Sequence, residues 1–203
     1  MIKALIFDIG GVILRTEDRH PRQQLEQRLG LQPGEAEYLV FNSEMGQKAQ
    51  MGQITSEQLW HWVQARLKLD DTGLRQFQEE FWAGDRIDWS MIELIRSLHP
   101  RYQTAIISNA MDNLHETVAR FDPYGRLFDC VVGSAYEKVM KPSPEIFLRT
   151  LDRLQLTPQQ ALFVDDFAHN IVGAQAVGLQ TLHFKPGLDL RHELKYLGIL
   201  REE

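Results

Sequence analysis

Polar side chains that could do chemistry follow three of the short apolar runs in this sequence. They are Asp8, Ser108, Asn109, Asp165 and Asp166. Three carboxylates brought into one place repel one another unless protons or a cation neutralise them. Hard oxygen ligands on separate loops suit Mg²⁺, which also keeps water and shares the oxygens of a phosphate. If the fold brings these residues together, their types predict a magnesium site beside a hydroxyl and an amide.

A lysine and a helix N-terminus are expected to accompany the carboxylates. Lys141 comes just before Ser143 and Pro144, an N-cap followed by a proline that needs no amide donor. It could place a positive point charge beside the carboxylates. The helix expected at Leu114, which Ser108 and Asn109 precede, would turn its N-terminal amides toward an anion. An aspartate nucleophile, a metal ion, a lysine and an anion site together indicate phosphoryl transfer through an aspartyl phosphate.

The elements that would position these residues alternate between strand and helix. Strand-like apolar runs occupy residues 2–7, 104–107, 130–132, 161–164 and 181–184. Helical spacing lies between them, as in Phe147, Leu151 and Leu154. The alternation predicts an α/β fold, a Rossmann-like parallel sheet with helices on both faces. Since such sheets bind ligands at the carboxyl ends of their strands, the polar residues there are expected to meet in one crevice.

A purely helical pattern separates the first strand from the others. Between about residues 19 and 82, apolar residues recur at helical spacing and no strand-like run interrupts them. We expect three or four short helices that pack around three of the tryptophans. The predicted organisation is a core of residues 1–14 and 89–203, with residues 15–88 inserted between its first two polar sites. The segment 15–88 is called the insert below.

Composition argues against several classes of protein. The chain has 203 residues, of which 43% are hydrophobic and 25% charged, and its formal net charge is −6. The acidic balance does not favour nucleic acid as a partner, and no apolar run approaches the roughly 20 residues that a membrane-spanning helix needs. The single cysteine cannot form an internal disulfide, and no secretory signal precedes the first strand. We expect a cytoplasmic protein, either monomeric or homodimeric.

Four motifs resemble, in order and context, those of the haloacid dehalogenase-like hydrolase superfamily. They are FDIGGV at 7–12, ISN at 107–109, KPSPEIF at 141–147 and VDDFAHN at 164–170. The resemblance covers the predicted core, and the insert looks like the small helical cap domain of that family. It implies a Mg²⁺-dependent phosphatase that acts on a small phosphorylated metabolite, such as a sugar phosphate.

The resemblance also implies a role for each motif residue. Asp8 would be the nucleophile, and Lys141 would hold the nucleophile and the phosphate together. The phosphate binders would be Ser108 and Asn109, with Gly10 and Gly11 beside them. The ligands of Mg²⁺ would be Asp8, the backbone carbonyl of Gly10, Asp165 and Asp166.

The chain departs from this pattern at Gly10. Most phosphatases of the superfamily have a second aspartate there, which protonates the leaving oxygen and then activates water. A positioned general acid or base is worth roughly 10²–10⁴ in rate. One interpretation is a phosphatase whose leaving group departs without much help, such as an anomeric sugar phosphate or an acyl phosphate. Sugar-phosphate phosphatases with a similar Asp-x-Gly-Asn/Gly-Val first motif favour this interpretation.

Three other interpretations of Gly10 stay open. A cap residue or a hydroxyl of the substrate could replace the missing acid. The chain could instead be a 2-haloacid dehalogenase or a phosphonate hydrolase, since those branches also lack the second aspartate. It could also be a catalytically weak domain that binds phosphate.

Three further polar residues have competing interpretations. Asn170 falls one helical turn after Asp166, so it could hydrogen-bond to a metal-bound carboxylate or lie on the surface. Gln50 could face the crevice from the insert. Lys138 competes with Lys141 but lacks the motif that follows it, and we expect Lys138 on the surface.

Overall fold

A computed structural model describes residues 1–200. Its strands, numbered along the chain, are β1 (Ala4–Phe7), β2 (Leu14–Thr16), β3 (Asp85–Ile87), β4 (Gln103–Ser108), β5 (Cys130–Gly133), β6 (Ala161–Asp165) and β7 (Gln180–His183). Five of them form one parallel sheet in the order β5-β4-β1-β6-β7. The predicted Rossmann-like α/β fold is confirmed.

Helices fill the connections between the strands. In the insert they are α1 (His20–Leu29), α2 (Glu35–Glu37), α3 (Glu44–Gln50), α4 (Ser56–Leu67) and α5 (Asp71–Trp82). In the core they are α6 (Trp89–Leu98), α7 (Leu114–Ala119), α8 (Ser134–Glu137), α9 (Pro144–Leu154), α10 (Ala168–Ala176) and α11 (Leu190–Tyr196). Within residues 1–200, none of the helices is long and apolar enough to cross a membrane.

Helices cover the sheet on both faces, as the first strand shows. Leu5 and Phe7 belong to an apolar cluster that includes residues of α6 and α11. Ala4 and Ile6 belong to a second cluster, with residues of α9 and α10. Because successive residues of a strand point to opposite faces, a strand covered on both sides must be apolar throughout. This explains the unbroken apolar run that precedes Asp8.

The insert has an apolar cluster of its own. Its fully buried members include Leu25, Leu59 and Phe77, and Trp60 and Trp62 pack against them. Trp82 is 38% exposed and meets the Phe81 ring edge-on. The insert has five α-helices rather than the three or four predicted. The difference lies in residues 35–50, where α2 has three residues and continues into a π-helix (Tyr38–Asn42), and α3 has seven. The limits of the insert at residues 15 and 88 stay a prediction.

A short antiparallel ribbon, which the sequence did not predict, closes the insert at its base. It pairs β2 with β3, and Thr16 lies opposite Asp85. The Thr16 hydroxyl donates to Asp85 at 2.7 Å, and the Arg22 guanidinium of α1 reaches the same oxygen at 3.0 Å. Strands of three residues are too short for a recognisable alternation, and their Arg and Asp residues have little strand preference.

Candidate active site

Strand register brings the acidic residues together. Phe7 of β1 pairs with Val164 of β6, so Asp8 and Asp165 lie side by side where these strands end. The chain order of the sheet strands reverses between β1 and β6, which is where sheets of this kind bind ligands. Carboxylate oxygens of Asp8, Asp165 and Asp166 lie within 4.8 Å of one another. The predicted cluster of three carboxylates is present.

Lys141 provides the positive charge of the cluster. Its ammonium lies 3.0 Å from Asp8 Oδ2 and 2.6 Å from Asp165 Oδ2. It also donates to the Ile107 carbonyl at 3.0 Å. Although lysines are rarely buried, only 1% of this residue is exposed. The lysine therefore joins the end of β1 to the end of β6.

Burial and charge act in opposite directions on these groups. Burial raises the pKa of Asp8 to about 7, although the charge of Lys141 lowers it, and the nearby Asp165 adds to the rise. Burial alone would lower the pKa of Lys141, but the charges of Asp8 and Asp165 outweigh it and raise that pKa. The pKa of Asp166 is also raised, by burial and then by the charge of Asp165. Lys141 neutralises only part of the negative charge, so the cluster favours a further cation.

Asp165 and Asp166 have different surroundings although they are neighbours. Asp165 accepts hydrogen bonds from Lys141, from the Phe167 amide at 2.8 Å and from the Asn170 carboxamide at 3.1 Å. By contrast, Asp166 Oδ1 is buried without a hydrogen-bond partner among residues 1–200. A buried carboxylate oxygen without a partner is unfavourable unless a donor or a cation reaches it. The residues fit a hard divalent cation, and Asp166 offers it a free oxygen.

The turn after β1 places two glycines beside this cluster. The Ile9 carbonyl accepts the amides of Ile13 at 2.9 Å and Leu14 at 2.8 Å, which folds the chain back on itself. Gly11 has a φ of +74°, and a Cβ there would collide with the Asp166 carboxylate. A Cβ at Gly10 would meet nothing within 4 Å. The Gly10 carbonyl accepts no hydrogen bond within residues 1–200, so it is available to a ligand.

Ser108 and Asn109 are close together, but their side chains differ in what they contact. The Asn109 carboxamide accepts from the Lys141 amide at 2.8 Å and donates to the Lys141 carbonyl at 3.0 Å. It therefore holds the backbone of the lysine. The Ser108 hydroxyl forms no hydrogen bond in the part of the chain that the structure describes.

The helix predicted after this pair begins at Leu114, as its apolar spacing indicated. Helix α7 has only six residues. Residues 110–113 form a connecting segment, and Met111 within it is buried in the apolar cluster of the insert. The helix ends at Ala119, so it is shorter than its apolar spacing, which extends to Phe121, had suggested.

The structure decides between the competing interpretations of Asn170, Gln50 and Lys138. Asn170 is buried and holds Asp165, which supports a role beside the carboxylates. The Gln50 side chain is also buried and donates to the carbonyls of Phe41 and Gly46 inside the insert, so the proposal that it faces the crevice is wrong. Lys138 is exposed as predicted, and its ammonium donates a hydrogen bond to the Gly52 carbonyl.

Two residues near the site escaped the sequence analysis. His183 ends β7, and its Nε2 donates to the Asp166 carbonyl at 2.9 Å. Ser134 follows β5, and its hydroxyl oxygen accepts from the Ala110 amide at 3.0 Å. Both lie at the carboxyl ends of strands, so the rule that identified Asp8 and Asp165 also applies to them. They were missed because the rule was not extended to the outer strands.

Comparisons with known proteins agree with this geometry. The family model of haloacid dehalogenase-like hydrolases matches residues 2–178. The sesquiterpene phosphatase astK of Aspergillus oryzae is 28% identical over 200 residues, which cover 96% of each chain. The D-ribitol-5-phosphate phosphatase of Bacteroides thetaiotaomicron is 26% identical over 207 residues, with 96% of this chain and 97% of the relative covered.

A solved structure shows the same fold. It is a HAD family enzyme of Bacteroides thetaiotaomicron in complex with magnesium and inorganic phosphate. The TM-score is 0.80 at 24% identity, and the alignment covers 95% of this chain and 99% of that chain.

Proposed function

The chain belongs to the haloacid dehalogenase-like hydrolases, and on that premise we propose that it is a phosphomonoesterase that acts on a small phosphorylated metabolite. The observation that carries the proposal is the position of Lys141 between Asp8 and Asp165, in a carboxylate cluster where one Asp166 oxygen has no hydrogen-bond partner among residues 1–200. Lys141 orients the Asp8 carboxylate for attack, and the free Asp166 oxygen can bind a cation beside the phosphate. The two phosphatase relatives support the same reaction class.

Asp8 is the proposed nucleophile. The Ile9 amide donates to its Oδ1 at 2.7 Å and Lys141 lies 3.0 Å from its Oδ2, so the carboxylate has one orientation. The carboxylate attacks phosphorus, the bond to the leaving oxygen breaks, and an aspartyl phosphate forms. Water then attacks phosphorus, which releases inorganic phosphate and restores Asp8. Lys141 stays beside the phosphoryl oxygens throughout and stabilises their charge.

Mg²⁺ is the proposed cofactor, held by Asp8, the Gly10 carbonyl and Asp166. Asp165 closes the cluster, but its hydrogen bonds to three donors make it chiefly the partner of Lys141. When bound, the ion supplies positive charge that allows an anionic substrate to approach a carboxylate. The Ser108 hydroxyl and the Asn109 backbone amide complete the anion site. They lie at the end of β4, which flanks β1 on the side away from β6. The insert acts as a cap that excludes bulk water from this site.

Gly10 restricts the substrates that we propose. With no carboxylate at this position, the leaving oxygen must depart with little protonation or carry a proton donor of its own. The oxygen on an anomeric carbon is a better leaving group than a primary alkoxide. We therefore infer that a sugar phosphorylated at its anomeric carbon reacts faster than one phosphorylated at a primary hydroxyl.

The test uses p-nitrophenyl phosphate, whose leaving group needs no acid. Turnover is expected with Mg²⁺, and it should fall by at least about 1,000-fold in Asp8→Asn because the nucleophile is lost. Asp152→Asn, at an exposed site on α9, is the matched control and should retain turnover. A hexose 1-phosphate and the corresponding 6-phosphate then test the leaving-group inference.

Two outcomes contradict the proposal. Turnover no higher than that of Asp8→Asn would exclude a phosphatase. Release of halide from a 2-haloacid without added metal would identify a dehalogenase instead.

A further inference from the structure

The segment that follows the proposed phosphate-binding pair, residues 110–113, packs against the insert. Met111, three residues after Ser108, is 6% exposed and belongs to the insert's apolar cluster with Leu59 and Phe77. The next residue, Asp112, accepts a hydrogen bond from the Ser56 amide at the start of α4 at 3.2 Å. Consequently, the insert cannot move away from the core without pulling on the chain that holds Ser108 and Asn109.

Ser134 lies beneath this segment and also contacts the insert. Its hydroxyl oxygen is 3.0 Å from the Ala110 amide, from which it accepts, and 2.5 Å from the Gln50 carbonyl, to which it donates. The Ala110 carbonyl is a second possible acceptor at 3.2 Å. Ser134 is fully buried, so water cannot replace these partners. One hydroxyl thus joins α3 of the insert to the residue after Asn109.

The contacts continue from Ala110 to the reacting groups. Asn109, the preceding residue, holds the amide and the carbonyl of Lys141, and Lys141 holds Asp8. Thus part-buried hydrogen bonds, the backbone between Ala110 and Asn109 and the Lys141 side chain connect Ser134 to the nucleophile. Ser134 itself contacts neither Asp8 nor Lys141.

We propose that Ser134 is a positioning residue that couples the seating of the insert to phosphate binding. The inference rests on the proposed function. While the Gln50 carbonyl accepts a hydrogen bond from the Ser134 hydroxyl, that hydroxyl also accepts from the Ala110 amide. Ser108 and Asn109 then keep the geometry that binds a phosphate. Coupling is reciprocal, so phosphate must in turn favour the seated insert.

The test compares Ser134→Ala with a variant that loses another buried hydroxyl. Thr150→Val is the matched control, because the Thr150 hydroxyl is fully buried but donates to Ile146 inside its own helix, α9, at 2.8 Å. The probe is inorganic phosphate in the presence of Mg²⁺. The readouts are its dissociation constant by calorimetry and the hydrogen exchange of residues 50–56 with and without phosphate.

In the unsubstituted protein, phosphate should slow exchange in residues 50–56. Ser134→Ala should weaken phosphate binding at least about fivefold and lose this protection. Thr150→Val should keep the affinity and the protection even if its melting temperature falls. A purely structural role for Ser134 would lower stability without removing the response to phosphate.

Met111→Ala weakens the same contact between core and insert, because it removes a side chain from the insert's apolar cluster. This variant decides the question if Ser134→Ala does not fold. It too should weaken phosphate binding and reduce the protection. Phosphate binding and protection at the unsubstituted level in either folded variant would overturn this inference alone. Failure of the unsubstituted protein to bind phosphate would instead overturn the proposed function, and this inference with it.

Discussion

At the scale of single residues, Gly10 and Gly11 have opposite constraints although they are neighbours. Gly11 has a left-handed backbone, and a side chain there would occupy the place of the Asp166 carboxylate. Gly10 has no such conflict, because nothing lies within 4 Å of the position of its Cβ. A Cβ can therefore be added at residue 10 without a clash, whereas one at residue 11 would collide with the Asp166 carboxylate.

Gly10→Asp should create the general acid that the chain lacks. We expect the variant to fold normally and to cleave a primary alkyl phosphate about tenfold faster or more, within the range of general acid catalysis. Cleavage of p-nitrophenyl phosphate should change much less, because its leaving group needs no proton. Steady-state kinetics on both substrates measure the difference.

Gly10→Asn controls for the size and polarity of the new side chain. It should leave the ratio of the two rates unchanged, since an amide donates no proton to the leaving oxygen at neutral pH. A variant Gly10→Asp that binds Mg²⁺ yet shows the original ratio would mean that another group already serves as the acid.

Asp166→Asn should change the pH dependence of stability. Because burial and the charge of Asp165 raise the pKa of Asp166 above its ordinary value, ionisation of Asp166 destabilises the folded protein. Its contribution to stability is thus present below about pH 4 and is lost as the pH rises through the raised pKa. Without Mg²⁺, the variant should match the unsubstituted protein below about pH 4 and melt roughly a few degrees higher at pH 7.5.

Addition of Mg²⁺ at pH 7.5 should reverse that order. The ion should raise the melting temperature of the unsubstituted protein, because it binds only the folded state, and it should have little effect on Asp166→Asn. Thermal unfolding with and without the ion measures both effects. An equal response of the two proteins to Mg²⁺ would show that Asp166 is not a ligand.

At the scale of elements, the β2–β3 ribbon fixes the insert to the point where it leaves the core. Asp85 is the centre of this junction, since it accepts from Thr16 of β2 and Arg22 of α1. The Arg22 guanidinium also donates to the Phe81 carbonyl at 2.9 Å and lies 4.3 Å from the centre of the Phe81 ring. The Asp85 carboxylate therefore links the β2–β3 ribbon to α1 directly and, through Arg22, to α5.

Asp85→Ala should lower the free energy of unfolding by roughly 1–3 kcal/mol, because two largely buried donors lose their acceptor. Glu17→Ala is the matched control, since Glu17 is exposed and lies 3.5 Å from Arg15, and it should cost less than about 0.5 kcal/mol. Urea denaturation measures both. Equal effects of the two substitutions would show that the junction contributes no more than a surface ion pair.

At the scale of the whole molecule, three apolar clusters are joined into one structure. Two lie on opposite faces of the sheet, and the third lies in the insert. Met111 is a core residue within the third cluster, and Ser134 adds a buried hydrogen bond between insert and core. These contacts couple the stability of the insert to that of the sheet.

We therefore expect one cooperative unfolding transition. Tryptophan fluorescence reports chiefly on the insert, which contains Trp60, Trp62 and Trp82, whereas far-UV circular dichroism reports on the entire chain. The two signals should have the same urea midpoint in the unsubstituted protein. Met111→Ala should separate them, with fluorescence changing first. An earlier fluorescence midpoint in the unsubstituted protein would contradict the expected cooperativity.

The sequence by itself determined the sheet and the composition of the site. Strands covered on both faces must be apolar throughout, so their positions could be read from unbroken apolar runs. Parallel strands end at one edge, so the residues that follow these runs had to meet there. Asp8, Asp165 and Asp166 were found by this argument alone, and the four motifs placed Lys141 beside them.

Only the tertiary structure decided which hydrogen-bond partners each of these side chains has. Asp165 and Asp166 are adjacent and chemically identical, and they differ because Lys141 and Asn170 reach one of them and not the other. Likewise, the Asn109 side chain holds the lysine backbone, and Ser134 joins the insert to the core. Local patterns predict elements because backbone hydrogen bonds and apolar burial repeat along the chain. Hydrogen-bond partners from distant segments follow no such period, and only packing brings them together.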